Sequence, residues 1–222
     1  MKNSLSQTEE NYLKAIYSLS STKKKSVSTN GIAQKLQTKA SSVTDMIKKL
    51  SEKELISYKK YQGVRLTSTG KSIAIKIIRK HRLWEVFLAS KLNFNWDEVH
   101  DIAEQLEHIK SDTLIDKLDE FLEFPTNDPH GDPIPDKDGN IQHLKKVMLA
   151  SISKGEKCTI IGVKDSSPFL KYLDALNIKL GSILTINDII EFDKSMLIEN
   201  EGVSTVISNQ IAQNLFVTKL KL

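Results

Sequence analysis

Apolar residues recur at helical spacing through most of the chain and at strand spacing near its end, predicting a mainly α protein with a small β domain. Over residues 5–19, polar cap-type residues precede Tyr12, Leu13, Ile16, Tyr17 and Leu19, the pattern of an amphipathic helix. Residues 20–25 read as a polar loop. A short helix at 28–36 turns Ile32, Ala33 and Leu36 inward, and after a turn at 37–40 a helix at 41–55 does the same with Val43, Met46, Ile47 and Leu50. Residues 56–61 and 64–67 read as two strands around Gln62 and Gly63. Helical patterns follow at 68–91, 95–110 and 112–124, the last with an apolar stripe of Leu114, Ile115, Leu118, Phe121 and Leu122 suited to burial in a second copy of the chain. Four of the five prolines fall in 125–139, which reads as a linker. Strands are then predicted at 158–163, 182–186, 195–199 and 215–220, with short helices at 168–176 and 209–214. Together they describe a β-barrel of about 70 residues.

Helix, turn, second helix and basic hairpin form the order of a winged helix-turn-helix. Its second helix enters the major groove and offers its first polar residues to base edges. Those residues are Lys39, Ser41, Ser42, Thr44, Asp45 and Lys48, while Lys59, Lys60 and Arg65 of the hairpin reach phosphates. The plain alternative is a solvated helix face and a charged hairpin that bind nothing.

Charge sharpens this picture. The net charge of +4 conceals +13 over residues 1–82 and −9 over residues 83–150, a basic part for a polyanion and an acidic part for cations. A composition of 39% hydrophobic and 27% charged residues is that of a globular protein. The only cysteine, Cys158, rules out an internal disulfide and a multi-cysteine zinc site. No apolar run approaches the roughly 18 residues of a membrane span, and the polar start lacks a signal peptide's apolar stretch, so a cytoplasmic protein is expected.

The candidate chemistry lies in the acidic part. At about 100° per residue, His100, Glu104, Glu107 and His108 share one third of a helix's circumference, and His81 and Glu85 share a face of the preceding helix. Imidazole and carboxylate without thiolate suit Mn²⁺ or Fe²⁺. Surface salt bridges are the innocent reading, but Glu104 and Glu107 would then crowd like charges on one face. A di-metal enzyme is disfavoured because the zinc-hydrolase and di-iron helix motifs are missing. A metal-independent winged-helix regulator remains the other alternative.

Six segments together resemble the diphtheria-toxin-repressor family of metal-dependent transcriptional regulators. They are Glu9-Glu-Asn-Tyr-Leu-Lys-Ala-Ile-Tyr17, Ser41-Ser-Val-Thr44, Leu66-Thr-Ser-Thr-Gly70, Arg79-Lys-His-Arg-Leu-Trp-Glu85, Val99-His-Asp-Ile-Ala-Glu-Gln-Leu-Glu-His108 and Pro129-His-Gly-Asp-Pro-Ile-Pro135. The resemblance implies a DNA-binding domain at 1–72, a helical metal-binding and dimerisation domain at 73–140, and an SH3-like domain of the ferrous-transport-A type at 141–222. It implies one metal site of Asn11, Glu104, Glu107 and His108, and a second of His81, Glu85 and His100. In some manganese-type members Glu85 instead joins residues that match Asp128, His130 and Asp165. Glu104 stands where iron-type members have Cys, which points to Mn²⁺ with Fe²⁺ as the alternative. Asn11 departs from the manganese-type Asp, and Lys14 replaces a Glu ligand of some two-domain members. The function implied is a homodimeric repressor of metal-uptake genes that binds double-stranded operator DNA, with no small-molecule substrate and no membrane partner.

Overall fold

The computed structural model describes residues 5–23, 26–59, 62–142 and 145–220, so the expectation for Lys60 lies outside the described residues. The first helix, α1 (Gln7–Lys23), opens on a reciprocal capping box: Glu9 N donates to Ser6 Oγ, and Ser6 N donates to Glu9 Oε2 at 2.8 Å. Helix α2 (Thr29–Lys35) is capped by Ser28, whose hydroxyl accepts from Gly31 N. Losing that cap would cost about 1 kcal/mol. After a turn through Gln37, α3 (Ala40–Glu52) buries Val43, Ile47 and Leu50 against Leu13, Ile16 and Ile32. Strands β1 (Ile56–Lys59) and β2 (Gly63–Leu66) pair antiparallel, and Val27 bridges Val64 through two 2.9 Å hydrogen bonds. Gly63 is required there: its φ is +84°, and a Cβ would lie 2.7 Å from the Val27 carbonyl oxygen.

The 25-residue helix α4 (Ser68–Leu92) follows, then α5 (Val99–Leu106) and α6 (Asp112–Phe121). Helix α5 is much shorter than the pattern at 95–110 predicts. Asn93 adopts a left-handed φ of 57°, Glu98 Oε2 accepts from Asn95 N in a turn, and a second turn closes from Ile109 N to Leu106 O. Glu107 and His108 are therefore beyond the last turn of α5. Helix α6 ends three residues early because Glu123 and Phe124 are left-handed, at φ 61° and 56°. Its apolar stripe divides: Ile115, Leu118 and Leu122 are buried, whereas Leu114 and Phe121 are exposed.

The remaining elements are β3 (Val147–Met148), a 3₁₀ turn at Leu149–Ser151, β4 (Lys157–Val163), α7 (Ser167–Ala175), β5 (Ile183–Ile189), β6 (Met196–Asn200), β7 (Val203–Ile207), α8 (Asn209–Ala212) and β8 (Leu215–Lys219). The six strands form one antiparallel sheet in the order β3-β8-β4-β5-β6-β7, around Leu149, Ile160, Leu170, Leu184, Ile198 and Leu215. The mainly α fold with a winged helix and an SH3-like β domain is as expected, but the barrel is not closed: among the described residues β3 and β7 stand at the two ends of the strand order. Strand β7 went unread in the sequence because only Ile207 of its five residues is buried.

The chain forms two compact units, each built from segments distant in sequence. One comprises residues 1–82, 104–117 and 135–141, and the other residues 83–103, 118–134 and 142–222.

Candidate metal centre

Within the first unit, α1 meets the turn that follows α5. Glu10, Asn11 and Lys14 share one face of α1, since positions three and four apart on a helix are neighbours. Glu10 Oε2 lies 2.6 Å from His108 Nδ1. Lys14 Nζ donates to Glu107 Oε2 at 2.7 Å and to Glu104 Oε1 at 3.1 Å. His81, from α4, places Nδ1 2.6 Å from the same Glu107 Oε2. Glu107 is wholly buried, and its other oxygen, Oε1, has no hydrogen-bond partner and lies 3.8 Å from His108 Nε2. Asn11 Oδ1 is likewise buried without a partner.

Two buried oxygens without a hydrogen-bond partner are costly if nothing meets them. With Glu104 and His108 they supply the oxygen and nitrogen donor types that suit a hard or borderline divalent cation. The residues therefore fit the metal that the sequence suggests. Glu10 is a member of the cluster that the sequence did not point to. With Nδ1 on a carboxylate, His108 has Nε2 left to present to a cation, the arrangement that fixes most ligating histidines.

The second unit holds another cluster. A donor each from Glu85 of α4, His130 of the 125–134 loop and Asp165 after β4 all lie within 4.8 Å of one another. Glu85 and His130 are nearly inaccessible. The backbone explains why this loop reaches β4. His130 O accepts from Val163 N at 2.9 Å, and Gly131, at φ +84°, passes so close that a Cβ would meet the Ile161 carbonyl oxygen at 2.2 Å. Asp128 Oδ1 accepts from the backbone N–H groups of His130 and Asp132, so this carboxylate shapes the turn that carries His130. His130 Nε2 lies 2.7 Å from Trp96 O, and its ring stacks on Trp96.

His100 of α5 belongs to this second cluster. Its Nδ1 is 2.6 Å from Asp165 Oδ2 and 3.5 Å from Glu85 Oε1. Hydrogen bonds to Asp165 and then Glu85 outweigh desolvation and push its pKa up to about 10. Burial pushes Asp165 up, but the bond to His100 and the charges of His100 and His130 leave it below the usual carboxylate range. The shared helix face read for His100, Glu104, Glu107 and His108 is thus divided: the first goes to one cluster and the other three to the other.

The described residues expected to face DNA are exposed in the first unit. Lys39, Ser41, Ser42, Thr44, Asp45 and Lys48 are all exposed on α3 or at its N-cap, and Lys59 and Arg65 are exposed on the hairpin. Asp45 is 3.8 Å from Lys48, and Thr44 Oγ1 donates to Ala40 O.

Comparison with known proteins agrees along the chain. Residues 4–64 match the family described as "Iron dependent repressor, N-terminal DNA binding domain", residues 67–136 "Iron dependent repressor, metal binding and dimerisation domain", and residues 147–219 "FeoA domain". The HTH-type transcriptional regulator MntR of Oceanobacillus iheyensis is 32% identical over 142 residues, 64% of this chain and 89% of that protein. A probable metal transport system membrane protein of Chlamydia trachomatis is 44% identical over 86 residues, 39% of this chain, but the chain spans only 19% of its length. Among solved structures, a manganese-dependent transcriptional repressor in complex with manganese has a TM-score of 0.88 at 34% identity, covering 96% of this chain and all of that one. The chain belongs to the diphtheria-toxin-repressor family of metal-dependent transcriptional regulators.

Proposed function

We propose that this protein is a metal-activated repressor that binds operator DNA as a homodimer when loaded with Mn²⁺, and that it controls genes of metal uptake. Fe²⁺ is the alternative ion. The observation that carries the reading is the junction of α1 with the Glu104–His108 segment, because α1 is also the first helix of the winged helix-turn-helix. Asn11, Glu104, Glu107 and His108 would hold one ion. Glu85, His130 and Asp165, with His100 beside them, would hold another. A bound ion supplies positive charge and a shared coordination sphere for ligands that come from two parts of the chain.

The side chains relay position from that junction to the DNA face. Glu10 orients His108, and the adjacent Glu9 ties α1 to the end of α3 through Lys53 at 2.6 Å and Lys49 at 3.3 Å. Fixing α1 therefore fixes α3, whose exposed amino-terminal residues would meet base edges, while Lys59 and Arg65 would meet phosphates. Exposed Leu114 and Phe121 on α6 offer apolar surface to a second copy. A ligand that favours one arrangement of α1 raises DNA affinity by population shift. The donor set, oxygen and imidazole without sulfur, suits both Mn²⁺ and Fe²⁺.

Fluorescence anisotropy on genomic fragments selected by the Mn²⁺-loaded protein tests this. Tight binding with Mn²⁺ that is lost in chelator supports the reading. Equal affinity in both conditions overturns it in favour of a metal-independent regulator.

A further inference from the structure

The Lys14 ammonium stands on two of the carboxylates, Glu104 and Glu107, that would hold a divalent ion. We propose that Lys14 is a built-in counter-cation that competes with the divalent ion for Glu104 and Glu107 and so weakens that site, a role that rests on the metal-activated function proposed for the chain. Glu107 is fully buried, and its Oε2 receives both Lys14 and His81. A buried carboxylate needs such compensation. Glu104 Oε1 lies 3.1 Å from the same ammonium, so an ion collecting Glu104 together with Glu107 meets a positive charge already seated between them.

Charges of like sign so near one another repel strongly in a partly buried setting. The ammonium is a point charge on a flexible four-carbon stem. Lys14 is 18% exposed and Glu104 45%, whereas Glu107 is closed off, so the way out for the ammonium lies on the Glu104 side. Lys14 thereby sets a threshold: the site fills only at ion concentrations high enough to displace it. It also steadies the carboxylates when the ion is scarce, which the neutral Asn11 cannot do.

The test uses the full chain with Glu85→Ala as background, so that the second cluster does not contribute. Manganese affinity is measured by calorimetry for Lys14, Lys14→Met and Lys14→Arg, and Tm is measured in chelator. The proposal expects Lys14→Met to bind Mn²⁺ on the order of tenfold more tightly and to melt lower in chelator, with Lys14→Arg close to Lys14 on both counts. Unchanged or weaker manganese binding by Lys14→Met, with the Lys14 protein still binding, overturns the competition alone. An unchanged Tm in chelator overturns the counter-cation role. No binding by any of the three overturns the metal-site reading itself.

Discussion

The two clusters solve the same electrostatic problem with different cations. In the first unit the buried Glu107 is met by Lys14, a neighbour on α1, and by His81. In the second, Glu85 and Asp165 are met by His100, whose pKa their hydrogen bonds raise to about 10. A lysine can only be displaced with its charge intact, whereas His100 can lose its proton and so free Glu85 and Asp165 for an ion. The two sites should therefore answer to different variables, the first to ion concentration and the second to ion concentration and pH together.

The largest expected effect is at Glu107. Glu107→Ala should reduce manganese affinity by more than the tenfold to about a hundredfold that losing a ligand's supporting partner costs, and should abolish the DNA response. Calorimetry together with anisotropy reads both. If the response survives, the first cluster is not the switch and the comparison fails. Glu10→Gln removes the support of His108 and should cost about tenfold to a hundredfold in manganese affinity while leaving the melting curve in chelator nearly unchanged. Asn11→Asp adds a charged donor where an orphaned amide oxygen stands, and should tighten manganese binding on the order of tenfold in the same titration.

Much of this was legible in the sequence. The winged helix-turn-helix could be read because its apolar positions, Leu13, Ile16, Ile32, Val43, Ile47 and Leu50, keep strict helical periodicity and are all buried. The division of the histidines could not. Periodicity carried the helix from 95 to 110, but α5 runs only from Val99 to Leu106, because a turn at Asn95–Glu98 precedes it and one at Leu106–Ile109 ends it. Glu10 escaped notice because nothing in its own segment announces a partner 98 residues away. The Ser-x-x-Glu capping box at Ser6 would have marked Glu9, its neighbour, as structural. Asp128 and His130 looked alike as donors, and only the backbone hydrogen bonds of the turn reveal that Asp128 supports His130.

pH gives two smaller effects of opposite sign. His100 is raised above the 6.5 of an unperturbed imidazole, so its pairing stabilises the ion-free fold fully below about 6.5 and is lost as pH rises through about 10. Manganese binding at the second cluster should strengthen over the same range, up to about tenfold per pH unit, because one proton must leave. Glu9 behaves in the reverse way. Burial pushes its pKa up, but Lys53, the Ser6 N–H and Lys49 together bring it down to about 2 from 4.5. Its tie between α1 and α3 is complete above about 4.5 and is lost as pH falls toward 2. Thermal melts of the wild-type and Glu9→Gln proteins across these windows read this smallest effect, which should vanish in the variant.

The central claim is that ion binding and DNA binding act on the same element, α1. Linkage then requires the two ligands to help one another equally. The direct measurement is manganese affinity with and without a saturating, selected DNA fragment. The account predicts that the fragment tightens manganese binding by the same factor by which Mn²⁺ tightens DNA binding, and that Glu107→Ala loses both. Manganese affinity that is indifferent to DNA would contradict it.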